Sequence, residues 1–274
     1  MTIAQSVTEK DVARCETATV QPSIEATECI GIALDAAASM AKSGGPTTAA
    51  NQLFTNLLRM FRTDVPTLSW RSDFILGSGG GQSGGQSSIV RPLGGVSVNL
   101  MRASELSDLT ERASKEQMSP VSVASELKRI ESLPSPYSRW ITILAAGVTA
   151  GAFSQLAVRN LGTLGVVFLA AVVGQYVRTL LVARKVPGVT TTLLAGIVSA
   201  LLAAVGLRLG LSKAVTPTLI ASVMYMAPGL PLINGFLDMA SQKYLITGLE
   251  RIANAGLLFL AMAIAIGFAY LVVM

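Results

Sequence analysis

The sequence predicts a mainly α, polytopic membrane protein, with five transmembrane helices preceded by a small cytoplasmic α+β domain. Three observations predict it. Of 274 residues, 51% are hydrophobic and only 14% charged, against roughly 25% charged in ordinary soluble domains. Charge is also divided unevenly along the chain: residues 1–139 hold 13 Lys+Arg and 14 Asp+Glu, whereas residues 140–274 hold 8 and 2, a net of 8 − 2 = +6. Finally, the second half is built of five long apolar stretches with their ionisable side chains at the ends. A bilayer admits such stretches only as helices, because no water is there to satisfy open backbone groups.

The expected organisation is a mobile tail over 1–25, a cytoplasmic α+β domain over 26–139 and a five-helix membrane domain over 140–274. The first 25 residues lack periodicity. From Ile30 apolar residues recur at helical spacing (Ala33, Leu34, Ala37, Ala38, Ala41) until Gly44-Gly45 stops the run. Pro46 then opens a second helix whose apolar face is Leu53, Phe54, Leu57, Leu58 and Phe61. Between Thr67 and Val98, the β-rich pieces SWRSDFIL and SSIVRPLGGVSV flank GSGGGQSGGQ, which reads as a small hairpin with a flexible glycine-serine loop. Helical spacing returns at Leu106, Leu109 and Ala113, and again at Val123, Leu127 and Ile130, the latter helix capped by Ser119 with Pro120 in its first turn.

The five spans are expected at about 141–158, 161–182, 189–207, 215–238 and 252–273, each near the roughly 20 residues that cross a hydrocarbon core. Orientation follows from the cations of the connecting loops. With the N-terminal domain inside, Lys128, Arg129, Arg139, Arg178, Arg184, Lys185, Lys243 and Arg251 fall on the cytoplasmic side, and Arg159, Arg208 and Lys213 fall outside. That distribution favours a cytoplasmic N-terminus and an external C-terminus. The polar, acidic opening of the chain argues against a cleaved secretory signal.

Several function classes are excluded. The positive charge lies in loops between apolar segments instead of on one face, so nucleic acid is not an expected partner. The chain has no histidine and only Cys15 and Cys29, too few ligands for a metal centre and no base for a serine-hydrolase triad. Matches to GxGxxG and GxSxG both fall in the single patch Gly79–Gly85, where chance matches are cheap. No Walker lysine is present, and neither a cofactor nor an enzymatic reaction is expected.

The fourth span carries the strongest functional signal. MYMAPGLPLINGFLDM sets Pro228, Gly229 and Pro231 inside an apolar crossing. Proline removes a backbone donor and clashes one turn back, so the helix is expected to break there. Broken helices at mid-membrane form transporter substrate sites, though a proline kink can also serve helix packing alone. The densest polar cluster of the second half follows, including Asn234, Asp238, Lys243, Glu250 and Arg251. Asp238 and Glu250 are its only carboxylates, and a carboxylate in a bilayer needs a partner, Lys243 or Arg251 being nearest in sequence. The candidate substrate-binding residues are therefore Pro228, Gly229, Pro231, Asn234, Asp238 and Arg251. Arg251 would hold a substrate carboxylate, helped by amides of the half-helix that follows the break.

In order along the chain, LDAAASMAKSGGPTTAANQLFTNLLRMF, VSVNLMRASELSDL, VSVASELKRIESLPSPYSRW and APGLPLINGFLDMASQKYLITGLERIANA resemble the N-terminal half of the threonine/serine exporter family, from about Cys29 to the end. The proline-glycine segment followed by Asp238, Gly248 and Arg251 is the most specific element. The resemblance implies the larger subunit of the split, two-component version, which has been linked to export of succinate-like dicarboxylates. It implies a secondary, alternating-access exporter of a small carboxylate metabolite, threonine/serine or a dicarboxylate, in a bacterial inner membrane. A second small membrane subunit would be the expected protein partner, with homo-oligomers also compatible. The competing readings are a membrane-anchored cytosolic enzyme and a non-transporting accessory subunit.

Overall fold

The computed structural model describes residues 22–63, 67–71, 73–80, 86–93 and 98–273. The chain divides into two compact units, Met1–Leu133 and Pro134–Met274.

In the first unit, the central element is helix α1 (Pro22–Lys42). It begins earlier than the periodicity from Ile30 predicts, and residues 1–21 of the expected tail lie outside the described residues. Alanines keep α1 slim: Ala33, Leu34, Ala36, Ala37, Ala38, Met40 and Ala41 are all buried, which lets neighbours pack on several sides at once. Gly44, at φ 90°, makes the left-handed turn that ends it. Helix α2 (Thr47–Met60) then returns along α1 and buries Leu53, Phe54, Leu57 and Leu58.

The hairpin expected between Thr67 and Val98 is instead a three-stranded antiparallel meander, β1 (Thr67–Trp70), β2 (Phe74–Gly80) and β3 (Gln86–Pro92), in that order. SWRSDFIL is not one strand, because β1 ends at Trp70 and β2 starts at Phe74 antiparallel to it, with Arg71 N donating to the carbonyl of Phe74. Residues Gly77–Gly80, read from the sequence as loop, continue β2 as partners of Gln86–Ile89. Pairing with β3, joined at Gly77 and Ser78 by pairing with β1, outweighs the weak strand propensity of glycine. Helices α3 (Leu100–Glu116) and α4 (Pro120–Ser132) complete the unit. Their buried residues are Leu106, Leu109 and Ala113, then Val123, Leu127 and Ile130, as the periodicity predicts. Asn99 and Ser119 cap them through bonds to the amides of Arg102 and Ser122.

The regular elements of the second unit, among the described residues, are all helices: α5 (Arg139–Ala157), α6 (Leu161–Ala183), α7 (Gly188–Arg208), α8 (Val215–Met224), α9 (Gly229–Ala240) and α10 (Leu245–Val273). Four of these, α5, α6, α7 and α10, are long and apolar enough to cross a membrane. The expected fourth span is a bent pair, α8 and α9, meeting at 74°. The protein is a multi-pass membrane protein, and its outward-facing leucines, isoleucines and phenylalanines are the lipid-like surface expected of one. Small residues set the helix contacts. A Cβ on Gly147 of α5 would stand 2.5 Å from Val172 on α6, and one on Gly196 of α7 3.1 Å from Ala265 on α10.

A hydrogen-bonded charge network crosses α3 and α4 in the first unit. Arg129 and Arg112 both reach Glu126, at 2.8 and 3.0 Å, and the Arg129 hydrogen bond foremost holds this carboxyl down to about 2. Its folded value lies below its ordinary 4.5, so its contribution to stability is complete above that ordinary value and fades as pH falls toward 2. Glu126→Gln is expected to flatten the acid limb of the first unit's unfolding profile over that window. Trp70 fluorescence in a Trp140→Phe background measures it.

Candidate functional site

The break is a short connection, Tyr225–Pro228, between α8 and α9. Its backbone is largely satisfied. Met226 N bonds to the carbonyl of Val223, Ala227 N to that of Met224, and Gly229 N to that of Ala227. Pro231 stands in the first turn of α9, where its missing N–H removes no helical bond. Leu232 N bonds back to the carbonyl of Pro228 at 3.2 Å. Pro228 is buried and Gly229 exposed, with nothing within 4 Å of the position a Cβ would take.

Beyond the break, α9 packs chiefly on α10. Two glycines allow it. A Cβ on Gly235 would lie 2.8 Å from Ile252 and 3.1 Å from the carbonyl oxygen of Gly248. On Gly248 it would lie 2.7 Å from the carbonyl oxygen of Gly235 and 2.8 Å from the amide of Met239. The two backbones therefore touch, which only glycine permits.

One helical turn from each glycine is a charge. Asp238 follows Gly235 by three residues and Arg251 follows Gly248 by three, so the antiparallel contact brings the two side chains together. Arg251 Nη1 forms an ion pair with Asp238 Oδ2 at 3.1 Å, with the aspartate side chain fully buried and the arginine 16% exposed. Asn234, one turn before Asp238, and Thr247, one turn before Arg251, are buried on the same seam. Tyr244, in the turn joining the helices, is buried beside them, and Lys243 lies over its ring at 5.7 Å. α10 starts at Leu245, seven residues before the span expected at 252, so Arg251 lies within a helix and not at a loop.

Of the residues expected to bind substrate, the structure gathers Asn234, Asp238 and Arg251 and leaves Pro228, Gly229 and Pro231 at the other end of α9. Asp238 is nine residues beyond Gly229, about 13 Å along a helix axis. The amides that open α9 and the guanidinium of Arg251 thus do not converge on one point. The reason is the Gly235–Gly248 contact, which fixes Arg251 to the second and third turns of α9. Gly235 was not singled out from the sequence. The signal was available, since Gly235-x-x-Asp238 and Gly248-x-x-Arg251 carry the same offset. A cleft of about 1000 Å³ lies elsewhere, in the first unit, with Gln52, Arg59, Ser107 and Lys115 among its lining. No group of three or more metal-binding side chains occurs among the described residues.

A carboxylate and a guanidinium buried together depend on one another for charge compensation. Paired, they neutralise one another; separated, each demands another partner of opposite charge. Residues 31–273 match the family model described as "Putative threonine/serine exporter". The chain belongs to this threonine/serine exporter family. Two curated relatives bear the name "Probable succinate transporter subunit YjjP". The protein of Klebsiella aerogenes is 35% identical over 136 residues, and that of Escherichia coli strain K12 is 33% identical over 136 residues. In both cases the match covers 48% of this chain and 52% of the relative, so the chain spans about half the length of the curated relatives it matches. No solved structure matches.

Removing one member of the pair leaves an uncompensated buried charge. Asp238→Leu or Arg251→Leu alone is expected to destabilise the protein by about 3–5 kcal/mol, and the double substitution to recover most of it. Unfolding in detergent, run as a double-mutant cycle, tests this; additive losses would mean that the pair is not coupled.

Proposed function

We propose that this chain is the larger subunit of a two-component secondary exporter that moves a small carboxylate metabolite outward across a bacterial inner membrane by alternating access. The first unit is cytoplasmic in this reading and the C-terminus external, as the cationic loops favour. The observation that carries the proposal is the Asp238–Arg251 pair, buried between α9 and α10 just beyond the 74° bend. In an exporter family, a charge pair of this kind can open toward a solute of matching charge.

Arg251 takes the carboxylate of the solute in exchange for Asp238, by a charge-assisted hydrogen bond. Asp238, released, binds a substrate ammonium or takes up a proton, so the seam never holds an uncompensated charge. Asn234 and Thr247 supply neutral hydrogen bonds on the same face. The family description points to threonine or serine, whose ammonium would use Asp238. The relatives' names point to succinate, for which Asp238 would serve as the proton site. A bilayer-embedded second subunit supplies the other wall of the path, in keeping with the word "subunit" in those names. The chain acts as a transporter and not as an enzyme.

Efflux from proteoliposomes tests the proposal, with and without the second subunit, for threonine, serine and succinate under imposed pH gradients. Arg251→Ala is expected to lower efflux at least tenfold with normal membrane insertion, and Arg251→Lys to retain part of it. Asp238→Asn is expected to abolish the effect of the pH gradient on succinate, or of the ammonium on threonine. Full efflux from Arg251→Ala would refute the reading.

A further inference from the structure

A second polar cluster lies on the bundle side of the break, away from the α9–α10 seam. Along α8, Thr218, Ser222 and Tyr225 recur at helical spacing and so share one stripe. Thr218 and Ser222 are fully buried and donate to carbonyls of their own chain, those of Ala214 and Leu219. Tyr225 behaves differently. Its hydroxyl reaches across to Ser199 Oγ on α7, 3.1 Å away, at the point where α8 ends.

Helix α6 closes the cluster. Ala171, Gly174, Gln175 and Arg178 fall at i, i+3, i+4 and i+7 and share a stripe. Ala171 clusters with Ala221, and Tyr225 packs against that cluster, which turns the stripe toward the end of α8. A Cβ on Gly174 would fall on Ser199 Oγ and Tyr225 Oη, so the two hydroxyls occupy the space that this glycine leaves. Gln175 is 8% exposed, and its Oε1 is buried without a hydrogen-bond partner among the described residues. Buried amide oxygens almost always have partners, and one without is a place for a visiting donor. The guanidinium of Arg178 lies within electrostatic reach of the Tyr225 hydroxyl and makes no ion pair among the described residues.

We infer that Gln175, Arg178, Ser199 and Tyr225 form a second station for the transported solute, one that accepts its carboxylate. The inference rests on the transport reading above and adds the place where the solute meets the bundle. The chemistry is that of a donor-rich, acid-free site: the two carboxylates of the second unit, Asp238 and Glu250, are on α9 and α10. Tyr225 and Ser199 exchange their mutual hydrogen bond for bonds to the carboxylate oxygens, and Arg178 supplies the opposite charge. Gln175 Oε1 accepts from whichever donor the solute carries at its other end, an ammonium, a hydroxyl or a protonated second acid. The 74° bend separates this station from the Asp238–Arg251 seam, so movement at Tyr225–Pro228 hands the solute from one to the other.

Two measurements test it. The first is whole-cell efflux of labelled succinate and threonine from cells expressing the full chain with its second subunit, corrected for membrane abundance. Arg178→Gln and Gln175→Leu are expected to lower efflux at least fivefold and raise the half-saturating internal concentration, with Arg178→Lys restoring a third or more of the rate. If the wild type exports, Arg251→Ala does not, and both of these variants run at the wild-type rate, the station is refuted while the transport reading stands. If the wild type exports neither solute above an empty vector, the transport reading falls and the station with it. The second measurement is independent of flux: maleimide labelling of Ser199→Cys in a Cys15→Ser, Cys29→Ser background. Labelling slowed at least threefold by saturating succinate or threonine supports the station. No labelling on the timescale that modifies the unfolded chain, or labelling indifferent to both solutes, overturns it.

Discussion

An aspartate and an arginine buried between two helices must keep each other company, since either one alone would be a buried charge with no counter-charge. Asp238 and Arg251 satisfy this requirement across two helices, and the requirement depends on how closely those helices approach. The approach in turn rests on two missing side chains, at Gly235 and Gly248. An alanine at either position would push the backbones apart and lengthen a 3.1 Å ion pair toward separation. The geometry of the site therefore follows from a backbone contact, with the charges placed by helical geometry one turn away.

The break at Tyr225–Pro228 has a second consequence. α8 packs on α5, α6 and α7 of the bundle. The bend frees α9 from the bundle, leaving it on α10. The Asp238–Arg251 pair then ties α9 to α10, since separating the two helices would leave both charges without a counter-charge. The turn at the break is itself well bonded, its amides committed to nearby carbonyls.

The two units use small residues toward different ends. In the first, the alanines of α1 thin a central helix so that two layers of neighbours reach it, and Asp35 on α1 meets Arg91 on β3 at 2.5 Å. The second unit places glycines at crossings, Gly147 against α6 and Gly196 against α10. Water drives the first arrangement through apolar burial. Hydrocarbon offers no such drive between helices, so close van der Waals packing has to supply the adhesion instead.

Helical spacing alone located α2, α3 and α4 with their buried faces, since Leu53, Leu106 and Val123 belong to stripes that only one geometry aligns. Long uncharged runs likewise located the membrane helices, and Pro228-Gly229 the break, because local chemistry at those points admits few alternatives. The sequence was less informative where a residue's conformation is set by a distant neighbour. Gly77–Gly80 read as loop until β3 supplied hydrogen-bond partners, and SWRSDFIL read as one strand until β2 folded back on β1. The partner of Asp238 also lay beyond local inference: Lys243 is nearer along the chain, yet Arg251 is the one that the Gly235–Gly248 crossing delivers. Periodicity and solvation are properties of short segments and are written in the sequence; which segments touch, and at what register, is decided only when the helices and strands pack.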